Sequence, residues 1–252
     1  ASELAAVGVT LDYAPVLDVH TNSRNPVIGD RALSDEPDVV AQLGVTIIET
    51  LQASGIAACG KHFPGHGDTS QDSHYELPTL DIDPAQLRGR EWTPFRSAIK
   101  AEVAVVMTGH VLVPSLDEER PASLSRRIVH DLLRGELAYG GLVATDDLGM
   151  KAITENYGIE EAVVHAVGAT VDLLLLCGAD MTWQSNALEA IIHAAENGAL
   201  SMFELEAALG RHRLAKERYL SDLSSKRKHG RVEKLIGRTR SRMIAEEIAR
   251  YV

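Results

Sequence analysis

With 252 residues, 45% of them hydrophobic and only 4% aromatic, the chain can bury a full core. It must fill that core with Ala, Val, Leu and Ile, as α/β proteins with buried parallel strands do. A formal net charge of -11 argues against a nucleic-acid partner and against an anionic membrane surface. No apolar run approaches the roughly 18 to 20 residues that span a bilayer; the longest, Val171 to Cys177, contains Asp172 and reads as a core strand.

Strand and helix signals alternate along the chain. Ala1 to Gly8 reads as the second half of a helix that Gly8 stops. Val9 to Asp18 is an extended run ending in polar residues. A helix is expected from about Glu36 to Ser54, N-capped by Ser34 or Asp35, with Pro37 early and Gly55 just past its end. Gly55 to Gly60 reads as a short buried strand of small and apolar residues. The next helix starts near Asp83-Pro84 and runs to about Glu102, followed by a third strand from Val103 to His110. A helix from Ser125 to Leu137 precedes a fourth strand, Gly141 to Asp147. A helix from about Ile159 to Val167 precedes the fifth strand at Val171 to Cys177, and helices follow over 182–196 and 202–220. Cys59 and Cys177 both fall in buried-strand sequence. They read as reduced core thiols rather than a disulfide framework, which fits the cytoplasm.

A repeated βα pattern implies parallel strands joined by right-handed crossovers. Either a (β/α)8 barrel or a doubly wound sheet satisfies it. Asp18, His62, His110 and Asp146 each close a strand, which favours the barrel, whose site gathers from many strand ends at one face. A doubly wound sheet would collect its ligand at one switch point, and no Gly-rich phosphate loop is present. Five strands are countable where a barrel of this type has eight. The expectation is therefore an α/β, TIM-type barrel over residues 1–220 that begins inside a helix and lacks its N-terminal βα units. Residues 221–252, rich in Lys and Arg between Ser224 and Arg242, are expected to form a basic helical C-terminal extension, a solvated helix rather than a nucleic-acid patch.

Chemistry concentrates in Lys61 to His74, which packs three histidines, two aspartates and a lysine around Pro64, Gly65 and Gly67. These breakers forbid a helix, so the segment is expected to be a structured loop leaving the C-terminal end of a strand. Within it, Asp72 lies two residues from His74, close enough to accept the Nδ1 hydrogen, fix the tautomer and support a general acid/base. Thr145-Asp146-Asp147 ends the fourth strand, where a carboxylate can act as a nucleophile. Together they would give the retaining glycosidase scheme with histidine in place of the acid carboxyl. Taken singly, these residues leave alternatives open. His74 also reads as a surface-loop histidine, and Asp146 and Asp147 as helix N-caps. His62, His66, Asp68, Asp72 and His74 are competent metal ligands, though no helical His pair or Cys pair supplies a recognised ligand geometry. Arg31 could hold a substrate oxygen or pair with Asp30, and Lys61 and His62 could bind hydroxyls or brace the loop.

The stretch from Lys61 to His74 resembles the signature of the single-domain β-N-acetylglucosaminidases of glycoside hydrolase family 3, KHFPGHG followed by DSH. Tyr13 to Val19, Asn25 to Arg31, Arg120 to Ser125 and Thr145 to Met150 extend the resemblance up to about residue 220. The resemblance implies a (β/α)8 barrel that removes terminal β-linked N-acetylglucosamine, commonly from peptidoglycan fragments. It makes Asp146 the nucleophile, His74 the acid/base and Asp72 its orienting partner, with Arg31, Lys61 and His62 binding the sugar. The implied partner is an amino-sugar saccharide; no cofactor, metal, nucleic acid or membrane is implied, and oligomeric state has no signal. The family carries an upstream Asp-Gln-Glu-Gly-Gly segment whose aspartate grips the sugar hydroxyls, and this sequence has none. Two alternatives remain: a metal-dependent hydrolase using the histidine loop, and a noncatalytic sugar-binding barrel, which has no need of Asp146 and the Asp72/His74 pair together.

Overall fold

The alternating pattern folds into five parallel strands: β1 (Leu11–Asp12), β2 (Ala57–Phe63), β3 (Val105–Thr108), β4 (Leu142–Asp147) and β5 (Leu173–Leu175). The structure is a computed structural model that describes residues 1–178, 180–221, 232 and 235–250. Each strand pairs only with its neighbours in sequence, giving the spatial order β1-β2-β3-β4-β5. A doubly wound sheet reverses its strand order at the switch point; an unreversed order is that of a barrel wall. The chain thus forms a partial (β/α)8-type barrel, a curled sheet backed by helices.

The helices are α1 (Ser2–Ala6), α2 (Pro37–Ala53), α3 (Pro84–Gln86) and α4 (Trp92–Lys100), then α5 (Lys151–Thr154), α6 (Ile159–Gly168), α7 (Met181–Glu196), α8 (Met202–Leu220) and α9 (Thr239–Ile248). Two stretches wind as π-helix, Leu87–Glu91 between α3 and α4, and Arg127–Glu136 before β4. Strand alternation sorts side chains between two cores. Ala58, Val106 and Val143 face the helices and join Ile48, Leu51, Trp92 and Phe95. Cys59, Val105, Met107, Leu142 and Ala144 face the concave side with Leu11, Tyr13, Leu173 and Leu175. Continuing the same parity upward, Lys61 follows Cys59 and Asp146 follows Ala144 onto the concave face at the C-terminal ends of the strands. That parity is what delivers the chemistry to one mouth.

Several expectations shift. α2 is capped by the backbone of Glu36, not by Ser34 or Asp35; the Ser34 hydroxyl instead accepts the Glu36 N–H at 3.1 Å. Gly55 ends that helix with φ +76°, a conformation that suits glycine. Past β1, where Pro15 has no N–H to offer the ladder, the contact with β2 continues irregularly: Cys59 N donates to the Ala14 carbonyl at 2.8 Å, Lys61 N to that of Pro15 at 3.2 Å, and Leu17 N to that of Lys61 at 2.6 Å. β2 runs through Phe63, so Lys61, His62 and Phe63 are strand residues and the loop begins at Pro64. Cys177 lies beyond β5 and is exposed, unlike the buried Cys59, because β5 is an edge strand and ends at Leu175. Of the expected C-terminal extension, residues 222–231, 233–234 and 251–252 lie outside the described residues; within it, 239–248 are helical. Among the described residues, no helix is long and apolar enough to cross a membrane.

Opposite the mouth, a buried ionic cluster ties the lower edge together. Asp172, with its side chain wholly buried, accepts from Arg134 Nη2 at 2.6 Å and Val143 N at 2.8 Å on one oxygen. Its other oxygen accepts from Arg211 Nε and Nη2 at 2.9 and 2.8 Å. One carboxylate thus joins the second π segment, β4 and α8. Removing it leaves two guanidinium groups competing for nothing, so Asp172→Ala should cost about 3 to 5 kcal/mol. Urea unfolding of the two proteins measures this, and a loss below about 1 kcal/mol would show that α8 is not held through Asp172.

Candidate active site

Asp18 organises the mouth. It is fully buried just past the β1 segment. Its Oδ1 accepts His66 N at 2.7 Å and His62 N at 3.2 Å, while Oδ2 accepts the ring Nδ1 of His62 at 2.7 Å. Burial alone would raise its pKa, but the ring of His62 and the amide of His66 outweigh that and hold the carboxyl below the usual range. Because Nδ1 of His62 donates to Asp18, the opposite nitrogen is turned toward the end of β4, 3.8 Å from Asp146 Oδ2.

Asp146 and its neighbour are held differently. Asp146 is a quarter exposed at the mouth and accepts Asp147 N on Oδ1 at 2.8 Å. Burial raises its pKa, yet His62, His110, the Asp147 amide and Lys61 together bring it below the ordinary carboxylate value. Asp146 is therefore ionised at neutrality. Asp147 is tied into the backbone: its Oδ1 accepts Gly149 N at 2.9 Å and Cys177 N at 3.0 Å. His110, buried at the end of β3, braces the same turn. Its Nε2 lies 2.9 Å from the Asp147 carbonyl and its Nδ1 lies 2.7 Å from Ser123 Oγ. A carbonyl can only accept, so Nε2 carries the hydrogen and Nδ1 takes the serine hydroxyl's. Burial lowers the pKa of His110 and keeps this ring neutral.

The loop above is fastened from below by asparagines. Asn25 Nδ2 donates to the carbonyls of His66 and Gly67 at 2.7 and 3.1 Å, and Asn22 Nδ2 donates to that of Thr69 at 3.1 Å. Gly67 is pressed so close to the β1–α2 segment that a Cβ would lie 1.8 Å from the Val19 carbonyl oxygen. His66, buried, spans Thr69 Oγ1 at 2.6 Å and Ser73 Oγ at 3.3 Å, and burial pushes its pKa down to about 4. Beyond Ser73 the loop turns outward. There Asp72 Oδ1 accepts both the backbone N–H and the ring Nδ1 of His74, each at 2.8 Å. The ring of His74 is 60% exposed and Asp72 24%. Burial is the largest single influence on Asp72 and opposes its ionisation, but the His74 amide and ring together outweigh it and lower its pKa.

The expected residues therefore fall into three places. Asp18, Lys61, His62, His110 and Asp146 meet at the mouth. Asp72 and His74 form a pair on the outer turn, linked to the mouth through Ser73, whose carbonyl also accepts Ala152 N at 3.3 Å. Arg31 lies on the one-turn helix Gly29–Arg31, exposed, with Nε donating to the Val27 carbonyl at 3.0 Å. The pairing with Asp30 weighed from sequence does not form; among the described residues Arg31 makes no ion pair. Nor do the loop's histidines and aspartates converge on a metal site, since no group of three potential ligands is found among the described residues. Sequence reading passed over Asn25, Ser123, Arg90 and Glu91, and took Asp18 and His110 only as strand ends.

The barrel mouth thus holds an ionised carboxylate at the end of β4 and, on the loop beside it, a separate His/Asp pair. The comparisons with known proteins carry this to a family. The family model described as the glycosyl hydrolase family 3 N terminal domain matches residues 1–213. A beta-hexosaminidase of Stenotrophomonas maltophilia strain K279a is 34% identical over 242 residues, 95% of this chain and 69% of that protein. A beta-hexosaminidase A of Pseudoalteromonas piscicida is 34% identical over 226 residues, 83% of this chain and 38% of that protein. Among solved structures, a glycoside hydrolase family 3 beta-N-acetylglucosaminidase from Paenibacillus sp. str. FPU-7 superposes with a TM-score of 0.85 at 44% identity, covering 88% of this chain and 42% of that one. The chain belongs to glycoside hydrolase family 3 and spans from about two fifths to about two thirds of the length of these relatives.

Two stability outcomes test the geometry. Gly67→Ala should cost about 3 kcal/mol or more, because the clash is with backbone that cannot rotate away; a urea midpoint equal to wild type would contradict the close approach. Asp18→Asn tests the carboxylate through pH. Its folded pKa is depressed, so its stability contribution is present above the unfolded value of about 3.9 and lost as pH falls through the lower folded value. The gap in unfolding free energy between wild type and Asp18→Asn should be wide at pH 6 and narrow steadily as pH falls below the unfolded value. A gap independent of pH would mean that Asp18 is not held as an ion.

Proposed function

We propose that this chain is the barrel portion of a retaining β-N-acetylglucosaminidase. The observation that carries the reading is the division of labour between Asp146 and the Asp72–His74 pair. Asp146 is ionised and keeps Oδ2 toward the mouth, as a nucleophile requires. The Asp72–His74 bond occupies Nδ1 of the ring and leaves Nε2 for proton transfer. In the first step His74 Nε2–H protonates the glycosidic oxygen while Asp146 attacks the anomeric carbon. The carbon–oxygen bond breaks, the aglycone leaves as an alcohol, and a glycosyl ester forms on Asp146. In the second step neutral His74 takes a proton from water, whose oxygen attacks the same carbon and releases Asp146 as carboxylate. Arg31, Lys61 and His62 are assigned to the hydroxyls and amide of the terminal sugar, and the substrates to peptidoglycan or chitin-type fragments. Two unpaired thiols, Cys59 and Cys177, support a reducing, cytoplasmic setting.

The test is a leaving-group series on the full chain, wild type against His74→Ala and Asp146→Asn. His74→Ala should lose about 10²- to 10⁴-fold on alkyl glycosides, which need protonation as the bond breaks, and little on glycosides of acidic phenols. Asp146→Asn should abolish accumulation of a covalent glycosyl-enzyme seen by intact mass with a fluorosugar trap. Equal losses for good and poor leaving groups would remove His74 from the acid role. Trapping that survived in Asp146→Asn but not in Asp147→Asn would reverse the nucleophile. Saccharide binding without any turnover or trapping would favour a sugar-binding barrel.

A further inference from the structure

Beneath the loop lies a carboxylate that this mechanism does not use. Glu91 closes the π-helical stretch Leu87–Glu91 and is 1% exposed. Its Oε1 accepts Arg90 Nε at 2.7 Å, while its Oε2 is buried with no hydrogen-bond partner. A half-satisfied buried carboxylate is costly, so something it fixes must offset that cost. Two contacts lead into the loop. A Cβ on Gly65, whose φ is +128°, would lie 2.8 Å from Glu91 Oε2 and 2.9 Å from Glu91 Cβ, so the loop backbone rests directly on this side chain. From the other side, Arg90 Nη2 reaches Asp68 Oδ2 at 2.5 Å. Gly65 and Asp68 flank His66, the residue that hands the loop on to Ser73 and the Asp72–His74 pair.

We propose that Arg90 and Glu91 are positioning residues for the acid/base loop. The buried carboxylate fixes the plane of the guanidinium, and the guanidinium pins Asp68 and with it the limb that carries Asp72 and His74. Its catalytic meaning rests on reading His74 as the acid/base. Arg90 and Glu91 stand at the end of a π turn, a distortion found frequently at functional sites. The groups facing Glu91 are Arg90, which attracts its charge, and Asp18 and Asp68, which repel it. Burial is the dominant influence and pushes its pKa up to about 7. Arg90 serves both carboxylates at once, Nε donating to Glu91 and Nη2 to Asp68. Since the folded pKa of Glu91 is raised, the stability linked to its protonation is complete below the unfolded value near 4.5 and is lost as pH rises through about 7.

Hydrogen exchange by mass spectrometry on the full chain tests this, with alkyl and aryl glycoside kinetics measured in parallel. Arg90→Gln and Asp68→Asn should raise exchange in residues 64–76 about tenfold while β3 and β4 keep their protection. Arg90→Lys should restore part of it, because one point charge replaces a two-sided fork. Glu91→Gln, which weakens the acceptor that holds Arg90 Nε, should raise loop exchange in the same direction but less. Unchanged loop exchange in both Arg90→Gln and Asp68→Asn overturns the proposal. If exchange rises but alkyl and aryl glycosides lose turnover equally, the tether stands and the acid role of His74 falls instead. Should Arg90→Gln unfold the whole chain, with exchange rising everywhere, Asp68→Asn at the more exposed end of the tether decides the matter alone.

Discussion

Three N–H groups converge on the carboxylate of Asp18, and the geometry of the mouth follows from that convergence. A fully buried aspartate has to be paid for by its partners, and here they are the amides of His62 and His66 and the ring of His62. Satisfying them fixes the backbone from the last residues of β2 into the loop. It also sets the tautomer of His62, so that the ring nitrogen facing Asp146 is decided by a group on a different strand. Nothing else in the site could be as well defined if this anion were absent. His110 plays the matching part across the mouth, as a neutral ring strung between Ser123 and the Asp147 carbonyl.

The two ends of the sheet divide the work in the manner of barrel proteins. At the lower edge Asp172 is saturated by two arginines and an amide, leaving no lone pair for a ligand. At the upper edge Asp146 gives one oxygen to its own chain and keeps the other toward open space. Both carboxylates lie on or beside the strands, and their difference is entirely one of how many donors the fold supplies. The neighbouring Asp147 makes the contrast sharper, since it is one residue away and spent on the Gly149 and Cys177 amides.

Much of this was legible in the sequence because strand parity and strand-end position are local properties. Ala144-x-Asp146 already puts an aspartate at a strand end and Asp72-x-His74 already makes a hydrogen-bonded pair geometrically possible, whereas Gly60 ends the expected second strand too early to place Lys61 on it. Other features were invisible because they depend on contacts distant in the chain. The partners of Asp18 are 44 and 48 residues away. Leu87-Arg88-Gly89-Arg90-Glu91 carries no mark that distinguishes a π turn from an α turn, and only the loop lying on Glu91 reveals it. Cys177 reads as core by its apolar neighbours, yet an edge strand that ends two residues earlier leaves it exposed. The one-turn helix that carries Arg31 is likewise set by Asn25, whose side chain caps Val27 N and Ile28 N at 2.9 and 2.8 Å.

The outer placement of the loop pair also bears on why the proposed acid is an imidazole. A carboxylic acid is protonated at neutrality only where burial or a neighbouring anion penalises its charge. The turn at Asp72 to Tyr75 can supply neither, since the ring of His74 is 60% exposed and the nearest anion, Asp72, is spent on it. A glutamate at this position would be ionised in so wet a place and could not donate. An imidazole titrates close to neutrality in water without any such help. On the proposed reading, therefore, the fold needs to supply only orientation, which Asp72 does with two hydrogen bonds to one oxygen. The price is a donor carried on a turn with few anchors of its own. That is why the buried contacts beneath the preceding limb, from Asn22, Asn25 and Arg90, matter to chemistry that happens beyond their reach.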